Sequence, residues 1–262
     1  MSRAITSLSN PTVKAVRALH MRKAREECGQ FLAEGLKIVT EAVELGRAPR
    51  VLLYGAEAAA HPLLRQAVKA AEAAGGEAIE VSRDILAKIS RRDNPQTVLA
   101  VFDQAFAPLS SLAPNSAACW VALEAVRDPG NLGTIVRTAD AAGCGGVILV
   151  GDCCDPYSVE AVRATMGSIF AVNIAKATAP EFIAWREAWP GSVVGTQLTA
   201  TTDFRAAAYA PPTLILMGNE QAGLTPELAA LCDATVKIPM RGRADSLNLA
   251  VATGVMIYAA TN

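Results

Sequence analysis

Three segments of the chain set polar side chains beside glycines in patterns that could serve a reaction. The first, Asp128-Pro-Gly-Asn-Leu-Gly-Thr-Ile-Val-Arg137, reads as a turn running into a helix. Leu132, Ile135, Val136 and Ala139 recur at helical spacing, which directs Arg137 away from the apolar face. Asn131 stands where it could cap that helix or hold a ligand oxygen. The second, Met217-Gly-Asn-Glu-Gln-Ala-Gly-Leu224, follows an apolar run, and Gly218 and Gly223 flank Glu220. Glycines there would let a ligand lie on bare backbone at the carboxyl end of a strand. The third, Ile238-Pro-Met-Arg-Gly-Arg-Ala-Asp-Ser-Leu-Asn-Leu-Ala250, stops a strand at Pro239 and opens the last helix near Ser246, a routine cap residue.

Several other chemistries are poorly served. His20 and His61 are the only histidines, so a Ser-His-Asp or Cys-His triad or an HExxH zinc site would need one of them, and neither has a fitting context. Of six cysteines, only Cys153 and Cys154 are close in sequence, adjacent rather than at metal or redox spacing. The strand before Glu124 leads into glycines that do not fit the dinucleotide fingerprint, and GxxxxGK[ST] is absent.

The elements that must carry these segments alternate. A helix is expected over residues 34–45 and another around 63–74, with strands at 51–54, 78–81 and 97–102. Further strands are expected at 120–123, 147–150, 171–174, 193–195, 214–217 and 236–238, with a last helix over 247–259. Near-continuous apolar strands between helices imply an α/β fold with a parallel sheet covered on both faces. A Pro, Ser and Ala-rich stretch divides the chain into 1–106, a linker at 107–117, and 118–262. No apolar run reaches the roughly 18 residues of a spanning helix, and no secretory signal is evident, so a cytoplasmic protein is expected.

A formal net charge of −1 hides an asymmetry. Residues 1–107 hold 15 basic and 12 acidic groups, and residues 108–262 hold 9 and 13, so the parts carry +3 and −4. Arg3, Lys14, Arg17, Arg22, Lys23 and Arg25 precede the first acidic residue. This basic arm is either a solvated helix face or a surface for an acidic partner, nucleic acid being the usual one.

Taken in order, the three segments resemble the motifs of the SpoU/TrmH branch of the SPOUT RNA methyltransferases. The match is NxGxxxR (Asn131, Gly133, Arg137), GNExxGL (Gly218 to Leu224) and IPMxGxxxSLN (Ile238 to Asn248). ITSLSNPTVK and FLAEGLKIVTEAV in the front part are similar to the L30e-like substrate-binding domain found before many members. The resemblance implies a small L30e-like α/β domain followed by a parallel-sheet α/β domain whose C-terminal part forms a trefoil knot. It implies a homodimer, through the methyltransferase domain, that methylates the 2′-hydroxyl of a ribose in RNA using S-adenosylmethionine and no metal.

By position, Met217, Gly218, Ile238, Met240, Ser246 and Leu247 match the cofactor-binding set, and Asn131, Arg137, Glu220, Ser246 and Asn248 the catalytic centre. A guanidinium stays protonated at any ordinary pH, so Arg137 is read as clamping a phosphate and orienting the ribose, with a role as base the alternative. The front domain and the basic arm favour ribosomal RNA, because the tRNA-modifying relatives usually lack such a domain. The alternatives are a tRNA 2′-O-methyltransferase and a non-catalytic RNA-binding assembly factor on the same fold.

Overall fold

A computed structural model describes residues 3–261, the side chains of Arg3 and Ala4 lying outside the described set. It divides into two units: Met1–Gln104 with Asp155–Phe170, and Ala105–Cys154 with Ala171–Asn262.

The first unit runs β1 (Arg3–Ile5), α1 (Pro11–Ala18), α2 (Arg22–Cys28), β2 (Gln30–Glu34), α3 (Leu36–Glu44), β3 (Val51–Tyr54), α4 (Pro62–Ala73), β4 (Glu77–Val81), α5 (Arg83–Ser90) and β5 (Val98–Asp103). Its sheet has the order β1-β4-β3-β5-β2, parallel at β1-β4 and β4-β3 and antiparallel at β3-β5 and β5-β2. α1 starts where Asn10 accepts the Thr12 amide at 2.9 Å and Pro11 takes the first helical position. Its Val13 and Val16 join Leu32, Leu53, Ile79 and Leu99 in the core. β2 is absent from the sequence reading, which runs a helix from residue 34. Gly35, at φ +103°, turns the chain sharply between β2 and α3, so a strand and a helix share one apolar run.

The second unit comprises β6 (Cys119–Glu124), α6 (Pro129–Ala141) and β7 (Gly146–Val150). The chain then makes α7 (Val159–Thr165), which belongs to the first unit, before returning as β8 (Asn173–Ala177) and α8 (Ala179–Arg186). β9 (Val193–Thr196), β10 (Thr202–Asp203), β11 (Thr213–Met217), α9 (Pro226–Ala229), β12 (Ala234–Lys237) and α10 (Leu249–Thr261) complete it. The sheet is parallel throughout, in the order β10-β12-β9-β11-β6-β7-β8. β6, β7 and β11 are buried along their whole length, as sheets covered on both faces require. α6 and α10 pack together, with Thr138 of α6 against Gly254 of α10.

Residues 105–117, which include the linker at 107–117, group with the second unit. Leu109 and Leu112 rest on its core, and the Trp120 indole donates to the Pro114 carbonyl at 3.0 Å. Asp155–Phe170 completes the first unit: the Tyr157 ring lies 4.7 Å from Phe31, and Phe170 lies 4.7 Å from Phe102. Strand β8 starts at Asn173, two residues later than expected from the sequence, after a 3₁₀ turn over Ser168–Phe170.

Candidate active site

The site is assembled where parallel strands end. The exits of β9, β11 and β12 and the start of α10 wall a cavity of about 310 Å³. Carboxyl ends of such strands are where α/β sheets hold ligands. Met217, Val236, Ile238, Met240, Leu247 and Leu249 give it apolar walls, and Asn131, Glu220, Ser246 and Asn248 give it a polar rim.

The turn after β11 has no room for side chains. A Cβ on Gly218 would meet Gly223 C at 2.1 Å and Leu224 N at 2.2 Å. Asn219 and Gly223 exchange backbone hydrogen bonds of 3.0 and 2.9 Å across the turn. Asn219 Oδ1 accepts the Gln221 amide at 2.9 Å, and its Nδ2 donates to the Ala125 carbonyl at 2.8 Å. Glu124, buried at the end of β6, accepts the Thr225 amide at 2.9 Å. The turn that carries Glu220 is thus pinned to the end of β6 from both sides.

One polar chain joins all three segments. Asn248 Nδ2 donates to Asn131 Oδ1 at 2.8 Å, and Asn131 Nδ2 reaches Glu220 Oε1 at 3.5 Å. Asn248 Oδ1 accepts the amides of Ala250 and Val251, so Asn248 caps α10. That corrects the sequence reading: Ser246 lies two residues before the cap, and its Oγ donates to Asp245 at 3.0 Å. Asn131 is not the cap of α6 either. Asp128 takes that place, accepting the Asn131 amide at 2.6 Å and leaving the Asn131 side chain free for the rim.

Of the candidate cofactor-binding and catalytic residues, all but Arg137 line this cavity, whereas Gly133 and Leu224 of the same motifs do not. Arg137 is exposed on α6 and has no hydrogen bond or ion pair among the described residues. Thr196, Gln197 and Leu198 at the end of β9, with Lys237, also line the cavity and were missed. The strand at 193–195 was legible, and the rule that ligands sit at carboxyl strand ends would have reached them.

The basic arm is much reduced. Arg25 is a correction: only 3% exposed, it pairs with Asp155 at 2.7 Å and donates to the Leu19 carbonyl, so its charge is spent inside the first unit. Arg22 and Lys23 pair one turn on with Glu26 and Glu27. Lys14 and Arg17 are exposed on α1, and the Arg3 side chain lies outside the described residues. No group of three or more His, Cys, Asp or Glu side chains that could hold a metal is present among the described residues.

Residues 118–258 match the SpoU rRNA Methylase family, and residues 10–100 match the MRM3-like substrate binding domain. The AdoMet-bound rRNA methyltransferase from Sinorhizobium meliloti is 49% identical, with a TM-score of 0.93 over 99% of this chain and 97% of that one. The 23S rRNA (uridine(2479)-2′-O)-methyltransferase of Streptomyces viridochromogenes is 33% identical over 91% of this chain and 85% of its own length. The 23S rRNA (guanosine(2553)-2′-O)-methyltransferase RlmP of Bacillus subtilis is 30% identical over 97% of both.

Proposed function

The chain belongs to the SpoU rRNA Methylase family, and on that premise we propose that it methylates the 2′-hydroxyl of a ribose in ribosomal RNA, using S-adenosylmethionine. The observation that carries this reading is the joining of Asn131, Glu220 and Asn248, from three distant segments, at the rim of one largely apolar cavity.

The cavity suits the cofactor by its own chemistry. Apolar side chains can cover a flat base, while the strand exits at Thr196, Gly218 and Ile238 leave backbone amides and carbonyls for its polar edges. S-adenosylmethionine, when bound, supplies an electrophilic methyl group. What this chain contributes is orientation and proton handling. Asn248, fixed by its cap bonds, holds the Asn131 carboxamide, whose Nδ2 is directed to the rim. A ribose placed there would meet the exposed Glu220 carboxylate, which would accept the hydroxyl hydrogen bond and take up its proton as the methyl–sulfur bond of the cofactor gives way to the new C–O bond. Arg137, protonated and without an acidic partner, takes a phosphate of the same strand.

The first unit is the substrate-binding part, a reading supported by its match to a substrate-binding domain. The protein works as a homodimer through the second unit. α10 is apolar on all sides, yet Val251 and Tyr258, seven residues apart on one face, are 53% and 49% exposed. Trefoil threading of the C-terminal part is carried over from the family resemblance. No helix among the described residues is long and apolar enough to cross a membrane, and we place the protein with its RNA in the cytoplasm. The Streptomyces viridochromogenes and Bacillus subtilis relatives are named for a uridine and a guanosine, so the family does not dictate the base.

The test is transfer of labelled methyl from S-adenosylmethionine to protein-free rRNA and, separately, to tRNA, followed by alkaline digestion. A 2′-O-methyl blocks attack by the neighbouring hydroxyl, so label should persist in an alkali-resistant dinucleotide from rRNA. Label from tRNA alone would overturn the substrate, and label recovered in mononucleotides would overturn the position.

A further inference from the structure

The structure distinguishes spent from unspent positive charge in the acidic half of the chain. Seven arginines lie between residues 108 and 262. Arg163 pairs with Glu34 inside the first unit. Arg127, Arg186 and Arg205 pair with Asp152, Asp233 and Asp203. Arg137, Arg241 and Arg243 have no hydrogen bond or ion pair among the described residues. Arg137 is already assigned a phosphate, which leaves two unexplained guanidinium groups.

Both stand on the stretch between Met240 and Ser246, residues that themselves line the cavity. Residues 241–248 are exposed and in neither helix nor strand. Asp203 gives both oxygens to Arg205 and feels Arg241 only through space, while Asp245, bonded to the Ser246 hydroxyl, keeps its charge, so the stretch from Met240 to Ser246 carries a formal +1. Residues 108–262 carry −4 in formal charge, a field that repels a polyanion. An RNA strand brought to the cavity therefore meets two guanidinium groups without ion pairs, and a net positive charge, on the loop forming its lip.

We propose that Arg241 and Arg243 clamp the phosphates flanking the ribose to be methylated, making this loop a principal RNA anchor of the second unit. The proposal rests on the RNA methyltransferase reading of the cavity. Guanidinium forks bind phosphate bidentately and so set register as well as affinity. These contacts ignore base identity, leaving the choice of nucleotide to other parts of the protein.

The experiment uses the full chain with Arg241→Ala, Arg243→Ala, the double variant and a double Lys variant. RNA affinity is measured on an rRNA fragment over a salt series, cofactor affinity by calorimetry, and methyl transfer at limiting and saturating RNA. A single-strand phosphate contact contributes about −0.7 to the slope of log K against log salt, so losing one lowers affinity about fivefold at roughly 0.1 M salt. Each Ala variant should show that loss as a raised KM for RNA with a shallower slope, at unchanged cofactor affinity. The double Lys variant should recover the slope. Unchanged RNA affinity and slope in the double Ala variant, with wild-type protein methylating RNA normally, would overturn the clamp and leave the enzyme reading intact. Weakened cofactor binding with an unchanged slope would overturn it too, assigning the loop to the cofactor. Failure of wild-type protein to methylate any RNA would instead overturn the reading on which the clamp rests.

Discussion

Gly218→Ala should break the site while leaving its polar residues in place. The added methyl would sit 2.1 to 2.4 Å from three backbone atoms of Gly223 and Leu224, where ordinary contact is above 3.4 Å. No side-chain rotation relieves an overlap of more than 1 Å with backbone, so the turn itself must open. Opening it gives up the two Asn219–Gly223 hydrogen bonds and loosens the Glu124–Thr225 bond. At about 0.5 to 1.5 kcal/mol for each neutral bond, and somewhat more for one to a carboxylate, the loss is roughly 2 to 4 kcal/mol. In a unit of this size that lowers the melting temperature by roughly 10 °C. Calorimetric melting with and without S-adenosylmethionine reads both consequences, the lower transition and a weakened ligand-induced rise. A Gly218→Ala protein with wild-type melting and cofactor affinity would refute the packing argument for this turn.

Three further outcomes follow from the same geometry. Arg137→Ala should abolish methyl transfer while leaving cofactor affinity within a few-fold, since Arg137 lies outside the cavity lining; full activity would remove it from the mechanism. Lys14→Ala with Arg17→Ala should flatten the salt dependence of RNA binding, whereas Arg25→Ala should leave the slope alone and lower stability by about 3 kcal/mol by stranding Asp155, as parallel binding and urea titrations would show. Burial holds the His20 imidazole below its ordinary 6.5, so the unfolded chain takes up the proton first. Stability should then rise with pH from the depressed folded value up to 6.5, and His20→Gln should flatten that stretch of a urea-midpoint profile.

The parts of the fold that could be read from the sequence are those whose signals are local. Each core strand of the second unit is a continuous apolar run, and β6, β7 and β11 lie where hydropathy places them to within a residue or so. β2 was hidden because a strand and a helix share one apolar run, and only the backbone at Gly35 separates them. The departure of Asp155–Phe170 into the first unit was also invisible. Tyr157, Val159 and Phe170 look like any core residues, and nothing in their spacing says whose core they fill. At the site, the motif residues Asn131, Glu220 and Asn248 do meet at one rim, but the sequence reading takes Ser246 rather than Asn248 as the cap of the last helix. Asp128, Asn131, Ser246 and Asn248 are all competent caps by type, and the backbone amide each one meets is a matter of geometry.

Charge shows the same division between what is counted and what is placed. Six basic residues before the first acidic one make the N-terminus look like the RNA surface. Once folded, Arg25 is buried against Asp155, and Arg22 and Lys23 face glutamates four residues on, pairs of little net field beyond their own turn. The acidic second unit keeps Arg137 on α6 and Arg241 and Arg243 at the cavity lip free of such partners. A polyanion responds to the charge left over after local pairing, not to the count along the chain. Guanidinium groups without ion pairs are therefore left on the segments bordering the cavity. For a reaction that must set one ribose hydroxyl against a fixed methyl donor, phosphate contacts next to that ribose restrict its position directly.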